Sequence, residues 1–303
     1  MLTLDIRNVN DSVSRDTNRF DLVVVRCGDK SLHRHWGAPA RTWDLAVSYY
    51  GTTDDAFPEA DYVHRYKGGK WDGIAAFFAE NPDCLEKYEY VWFPDDDILT
   101  ENSAVVALFE AARTFKLDLC QPALSEQSYF SHLLTLCDPS FRLRYTNFVE
   151  LMVPVFSRSL LRKAQPQFKS TRTGFGLDFL WPRMIEDPIN KIAVIDSVTV
   201  THTRPVGGEL HQSLTPGMLN GTRELERDLS AARVTGNSRV NGVSVPSIYP
   251  HSGVTSGGSF VQSRVVLATM QARSYFARRR NATQPIKTIA IVRYFIKLII
   301  QRG

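Results

Sequence analysis

The sequence predicts an α/β doubly wound sheet flanked by helices, with a helical extension at its C-terminal end, and three observations carry that prediction. Short, nearly continuous apolar runs such as Asp21 to Arg26 (DLVVVR) read as strands buried on both faces. These runs alternate with amphipathic stretches over about 190 residues, the rhythm of a sheet crossed over by helices. The polar residues suited to chemistry cluster just past the carboxyl ends of the apolar runs, where such sheets bind ligands.

Residues 1–19 are polar and expected to be loose, so the core is placed at 20–210 and a basic, partly helical extension at 211–303. Trp43 to Tyr50 (WDLAVSYY) is the second strand, closed by the turn Gly51-Thr52-Thr53-Asp54-Asp55. Lys70 to Glu80 reads as a helix and Tyr88 to Phe93 as an aromatic, β-branched strand with no breaker before Pro94. Ser103 to Phe115 spaces Val105, Val106, Leu108, Phe109 and Ala112 on one helical face. Leu117 to Gln121, Val149 to Phe156 and Ile192 to Val200 complete the strands. Further on, 222–235 reads as a short charged helix and the Gly, Ser, Val and Pro-rich stretch 236–260 as a mobile loop.

Charge divides the chain more sharply than the net +4 suggests. The first 228 residues hold 25 Lys and Arg against 32 Asp and Glu, whereas residues 229–303 hold 11 Lys and Arg and no acid at all. An acidic body with a basic tail points to attachment at an anionic surface. Ile286 to Arg302 is dense in Ile and aromatics with its cations toward one side, the pattern of an interfacial amphipathic helix. The same pattern also fits a helix packed on the protein's own core or on a second copy in a homodimer. No window of apolar residues is long and uncharged enough for a transmembrane helix, and the polar, acidic N-terminus is unlike a secretory signal. Cys27, Cys84, Cys120 and Cys137 lack paired spacing, so free thiols in a reducing cytoplasm are expected.

The most informative stretch is Val91-Trp92-Phe93-Pro94-Asp95-Asp96-Asp97, three consecutive carboxylates at the end of an apolar run. Carboxylates that close repel one another, so something positive should hold them. Mn2+ or Mg2+ is the economical answer, since hard cations take carboxylate and phosphate oxygens together. Asp178 stands at the head of an apolar helix after Gly174-Phe175-Gly176-Leu177, where the helix dipole should keep a carboxylate ionised. Glu150 falls inside an apolar strand, where it needs a lysine, an arginine or a ligand as partner.

Taken in order, these blocks make the chain resemble the domain-of-unknown-function family 707, a group with a glycosyltransferase-A-like sheet. The resemblance spans roughly residues 20–208 and rests on Lys70-Trp71, Asp95-Asp96-Asp97, Gln121-Pro122-Ala123-Leu124, Val149 to Arg158, Gly176-Leu177-Asp178, and Val194-Ile195-Asp196-Ser197 with His202. Pro94 and Phe175 stand where that family often has tryptophan, a departure that bears on the donor and acceptor pockets. The resemblance implies a metal-dependent glycosyltransferase that moves a sugar from a nucleotide-diphosphate donor, a UDP-sugar by preference, to a saccharide or glycolipid acceptor. Asp95, Asp97 and His202 would then hold the metal, and Asp96 would lie near the ribose or sugar. Arg26, Gly28, Asp29, Asp54, Asp55, Lys67, Lys70 and Trp71 would line the donor site. Glu150, Phe175 and Trp181 would face the acceptor, and Asp178 would be the general base of an inverting transfer.

Three other readings use the same features. A phosphatase of the haloacid-dehalogenase type also places Asp-x-Asp after a strand, but wants a small hydroxyl residue where this chain has Leu99. A basic-tailed module binding anionic lipid or nucleic acid accounts for the tail, although no nucleic-acid fold signature accompanies it and no nucleic-acid partner is expected. An inactive glycosyltransferase-like scaffold is the third. The localisation expected from the first reading is cytoplasmic, peripheral on the inner face of the membrane through 262–303.

Overall fold

A computed structural model describes residues 19–37, 41–169, 171, 173–206, 238–240, 243–280, 282–285 and 288–300. Strands β1 (Asp21–Cys27), β2 (Asp44–Tyr49) and β3 (Tyr62–Arg65) lead to helix α1 (Lys70–Glu80) and the single turn α2 (Cys84–Lys87). Then come β4 (Tyr90–Trp92), β5 (Ile98–Leu99), α3 (Asn102–Thr114), β6 (Leu119–Leu124), β7 (Phe141–Thr146) and β8 (Val155–Ser157). Helix α4 (Arg158–Phe168), the one-turn α5 (Leu177–Leu180) and the long β9 (Ile192–His202) close the expected core. The hairpin β10 (Ser238–Val240) and β11 (Val243–Val245) precedes β12 (Pro250–Thr255), β13 (Phe260–Val261), α6 (Arg264–Arg278) and α7 (Thr288–Ile300).

The main sheet is mixed and runs β13-β12-β7-β9-β6-β8-β4-β1-β2-β3, with β5 paired to β9 beside that path. β1 lies parallel to β2 and β4, and β6 parallel to β9, while β8 is antiparallel to both β4 and β6. The carboxyl ends of β1, β2, β4, β6 and β9 therefore share one edge. β1 shows why its run is continuously apolar: Val23 and Val25 enter the core on one face while Leu22 and Val24 enter the core on the other. α1 and α4 cover the second face, and α3 covers the first.

Differences from the sequence reading have definite causes. The apolar stretch from Val149 is a loop until Val155, where β8 begins, although Pro154 O and Met152 O still accept from Phe93 N and Asp95 N. β7 escaped notice because Arg144 looks like a surface residue. It is in fact wholly buried, its Nε and Nη2 donating to both carboxylate oxygens of Asp196 at 2.8 Å and Nη2 also to Leu136 O at 2.7 Å. The 236–260 segment, expected as a mobile loop, supplies β12, an antiparallel neighbour of β7 in the main sheet. Its Gly253 sits where a Cβ would meet the Phe141 ring at 3.0 Å, so a residue that reads as loop punctuation is a packing requirement. The charged helix expected at 222–235 lies outside the described residues.

α6 is tied into the core. Its Tyr275 hydroxyl donates to Leu133 O at 2.7 Å and accepts from Arg144 Nη1 at 3.2 Å, and Leu267 and Ala268 are buried beside it. α7 packs on α6 through Ile291 and Phe295. Among the described residues no helix is long and apolar enough to cross a membrane. The four cysteines are free thiols, three buried and Cys137 half-buried, as their spacing predicted.

Candidate active site

The shared carboxyl edge gathers the acidic cluster. Past β4 the chain turns so that Asp95 N donates to Met152 O at 2.9 Å, and β5 then pairs antiparallel with β9, setting Ile98 opposite His202. Thr203 clamps the same turn, its N and Oγ1 donating to Asp97 O at 3.1 and 2.8 Å. This pairing, and not the sequence spacing, brings His202 to Asp97: Nε2 lies 3.1 Å from Oδ2. His202 Nδ1 lies 3.0 Å from Tyr129 O, which accepts its proton and leaves Nε2 aimed at the carboxylates.

One ligand atom from each of Asp95, Asp97 and His202 can be chosen so that all lie within 4.8 Å of one another. Two carboxylates and an imidazole with its outer nitrogen already engaged suit a hard or borderline divalent cation, so the donor set fits Mn2+ or Mg2+. Burial lowers the affinity of His202 for a proton, but the hydrogen bond and charge of Asp97, with Asp95 beyond, outweigh it and raise its pKa. Burial also pushes Asp95 and Asp96 up. These are groups whose charge calls for a cation.

Lys70 is the protein's own cation here. Its Nζ donates to Asp95 Oδ1 at 2.6 Å, to Leu151 O at 2.8 Å and to Met152 O at 3.1 Å, which satisfies all three N–H groups. Trp71 lies under this ammonium, 5.3 Å from ring centroid to Nζ. Asp96 turns the other way. Its Oδ2 accepts from Gly28 N at 2.9 Å and from the Tyr50 hydroxyl at 3.3 Å, and its Oδ1 lies 3.4 Å from Arg204 Nη1. Gly28 is required by close approach, because a Cβ there would meet the Tyr50 ring at 2.9 Å.

The remaining donor-site candidates separate into site and scaffold. Arg26 is buried and uses every N–H it has: Nε to Gly69 O, Nη1 to the backbone and hydroxyl oxygens of Ser48, and Nη2 to the carbonyls of Tyr66 and Gly68. It braces the loop that precedes α1. Asp29 accepts from the Tyr49 hydroxyl and from the amides and hydroxyls of Thr52 and Thr53, bonds that hold its pKa well below the usual range. Asp55 pairs with Arg34 and accepts from Phe57 N, while Lys67 donates to the carbonyls of Tyr50 and Gly51. Asp54 is exposed on that turn. Trp71 and Trp181 are core residues, 5.0 Å apart by ring centroid and packed with Phe168, so neither presents a face to a ligand.

Asp178 and Glu150 form a second polar centre. Gly174 and Gly176, at φ +79° and +103°, bend the chain through the left-handed region to deliver Asp178 to the first turn of α5. Both carboxyls are buried, and Asp178 Oδ1 and Glu150 Oε2 have no hydrogen-bond partner among the described residues. Burial, reinforced by the charge of Glu150, pushes Asp178 up to about 8; the amides of Phe179 and Gly176 only partly oppose this. The expectation that the helix dipole keeps Asp178 ionised is therefore reversed. A one-turn helix has few aligned peptides, and desolvation dominates.

Glu150 is likewise not on a strand. Gln121 Oε1 accepts its backbone N–H at 2.7 Å, and among the described residues its charge acts on Asp178 and His132. Phe175 is half-buried on the same loop. Sequence reading missed Tyr50, Tyr129, His132, Thr203 and Arg204, and named Gln121 only as part of a motif block. Of these, only Arg204, two residues past His202, carried a local signal.

No family model matches the chain, and no curated protein matches it. Solved structures do. GalNAc-T7, crystallised with UDP, GalNAc and Mn2+, superposes with a TM-score of 0.50 at 9% identity, covering 71% of this chain and 48% of its own, so this chain spans about half of it. Residues 1–349 of S. aureus TarS in complex with UDP-GlcNAc give 0.47 at 12% identity over 92% and 81% of the two chains. Glucosyl-3-phosphoglycerate synthase from Mycobacterium tuberculosis, with Mn2+, UDP and glucosyl-3-phosphoglycerate, gives 0.46 at 15% over 72% and 82%. The likeness to GalNAc-T7 and the mixed sheet with its helices on both faces place this chain in the glycosyltransferase-A fold class.

Proposed function

We propose that this protein is a metal-dependent glycosyltransferase that moves a sugar from a nucleotide-diphosphate donor to a saccharide or glycolipid acceptor. The observation that carries the reading is the convergence of Asp95, Asp97 and His202 at the carboxyl edge of a glycosyltransferase-A sheet. The motif blocks in which the sequence resembles family 707 agree with it, and a UDP-sugar is the favoured donor because GalNAc-T7, of like fold, was crystallised with UDP and Mn2+.

In this reading Asp95, Asp97 and His202 hold a divalent ion. When bound, such an ion supplies positive charge for a diphosphate leaving group. Lys70 keeps Asp95 oriented, and Tyr129 fixes the His202 tautomer. Asp96 joins the ends of β1 and β2 through Gly28 and Tyr50, which shapes the pocket for the nucleoside. Asp178, deprotonated, takes the proton of the acceptor hydroxyl. Its raised pKa makes it a stronger base than an ordinary carboxylate, and attack from that side inverts the anomeric centre.

Calorimetry of the purified protein against UDP, GDP and CDP, each with and without Mn2+, tests the reading. One nucleotide should bind only with Mn2+, and Asp97→Ala should abolish that binding. Absence of binding to all three would sink the transferase reading in favour of an inactive scaffold.

A further inference from the structure

We propose that α6 and α7 form a docking face for an anionic lipid bilayer, with α7 lying in the plane of the interface. α7 buries Ile291 and Phe295 against the protein and turns Ile289, Val292, Ile296 and Ile299 outward, each 40–57% exposed. Their spacing of three, four and three residues makes one straight stripe along the helix. α6 adds Val265 and Phe276, and an open groove of about 510 Å³ lined by Ala272, Arg273, Phe276, Phe295 and Ile299 joins the two helices into one apolar surface. Water solvates such a surface poorly, and contiguous exposed patches of this kind mark interaction sites.

Charge selects the occupant. Arg273 and Arg293 are exposed on these helices and Arg280 just past the end of α6, and the Arg279 guanidinium lies 5.1 Å from the Phe276 ring centroid. Residues 229–303 contain no Asp or Glu. A second copy docking by two-fold symmetry would bring the same basic surface against itself, cations facing cations with no carboxylate supplied by either helix. A nucleic acid would answer the charge but leave the isoleucines in water. An anionic bilayer answers both, taking the apolar stripe into the acyl boundary and the arginines into the headgroups. The thirteen residues of α7 extend about 20 Å, short of the roughly 30 Å hydrocarbon core, so the helix lies on the membrane and does not cross it.

The test is co-sedimentation of the full chain with phosphatidylcholine vesicles containing phosphatidylglycerol, compared with phosphatidylcholine alone. Binding should require the anionic lipid and weaken as salt rises. Arg280→Ser and Arg293→Ser should each reduce partitioning about fivefold. Ile296→Asp should reduce it by about tenfold or more, because a charge replaces an inserted apolar group. Thermal unfolding and Mn2+-dependent nucleotide binding check that each variant is folded, and vesicle binding itself does not depend on the transferase reading. Equal binding to neutral vesicles, no vesicle binding, or unchanged binding of Ile296→Asp would overturn the proposal. So would a dimer in sedimentation equilibrium that Ile296→Asp dissociates, or binding to RNA in the absence of vesicle binding.

Discussion

Replacing Asp178 by Asn should stabilise the protein in a pH-dependent manner while destroying its activity. The carboxyl titrates near 3.9 in an unfolded chain and at about 8 in its buried site beside Glu150. Below about pH 4 both states hold the proton and the site has no effect on folding. Between these values the unfolded chain ionises while the folded protein keeps its proton, so stability falls as pH rises. At about 1.4 kcal/mol per unit, the loss approaches about 5 kcal/mol by pH 8, an upper bound because a buried site relaxes around charge. Asn does not ionise, and its amide oxygen can take the place of the carboxyl oxygen that accepts the Phe179 and Gly176 amides, so the variant escapes this loss. Urea denaturation of both proteins at about pH 5 and pH 8 should show the variant gaining up to about 4 kcal/mol on the parent between the two. A stability difference that is constant with pH, or that grows in the opposite direction, would refute a buried, proton-holding Asp178. In an assay of sugar transfer the same variant should lose about 10²–10⁴-fold in kcat.

Glu150→Gln removes the like charge beside Asp178 and should move the ascending, acid-side limb of the kcat/KM profile to lower pH by on the order of one unit, because that limb follows deprotonation of the general base; a pH–rate series on the variant checks the shift, and an unmoved limb would show that the two carboxyls do not communicate. Arg26→Met should remove the guanidinium's hydrogen bonds to the carbonyls of Ser48, Tyr66, Gly68 and Gly69 and cost about 3 kcal/mol in denaturant unfolding. Nucleotide affinity of the folded variant should be little changed, whereas a tenfold loss of affinity at unchanged stability would return Arg26 to the donor site.

The acidic cluster was legible because its chemistry is local. Three carboxylates in a row after an apolar strand repel one another wherever they fold, and strand ends in a parallel segment meet at one edge. α1 was legible to the residue, since Lys70 to Glu80 carries its own periodicity between a Gly pair and Asn81. Buried polar scaffolding was not. Arg26, Arg144 and Trp181 look in sequence like ligand contacts or surface residues, because decisive partners lie far off in the chain: Ser48 is 22 positions from Arg26, and Tyr275 is 131 from Arg144.

The sequence by itself determined the α/β class, the acidic motif, the change of charge at residue 228 and the amphipathic end of the chain, because patterning and composition are properties of neighbours in the chain. Tertiary structure decided the rest. β5 pairing with β9 set His202 against Asp97, β12 joined the sheet beside β7, and α6 locked onto Arg144. It also reversed the charge state of Asp178, since a proton's affinity is fixed by the dielectric and the charges around it, which come from distant segments brought together by folding.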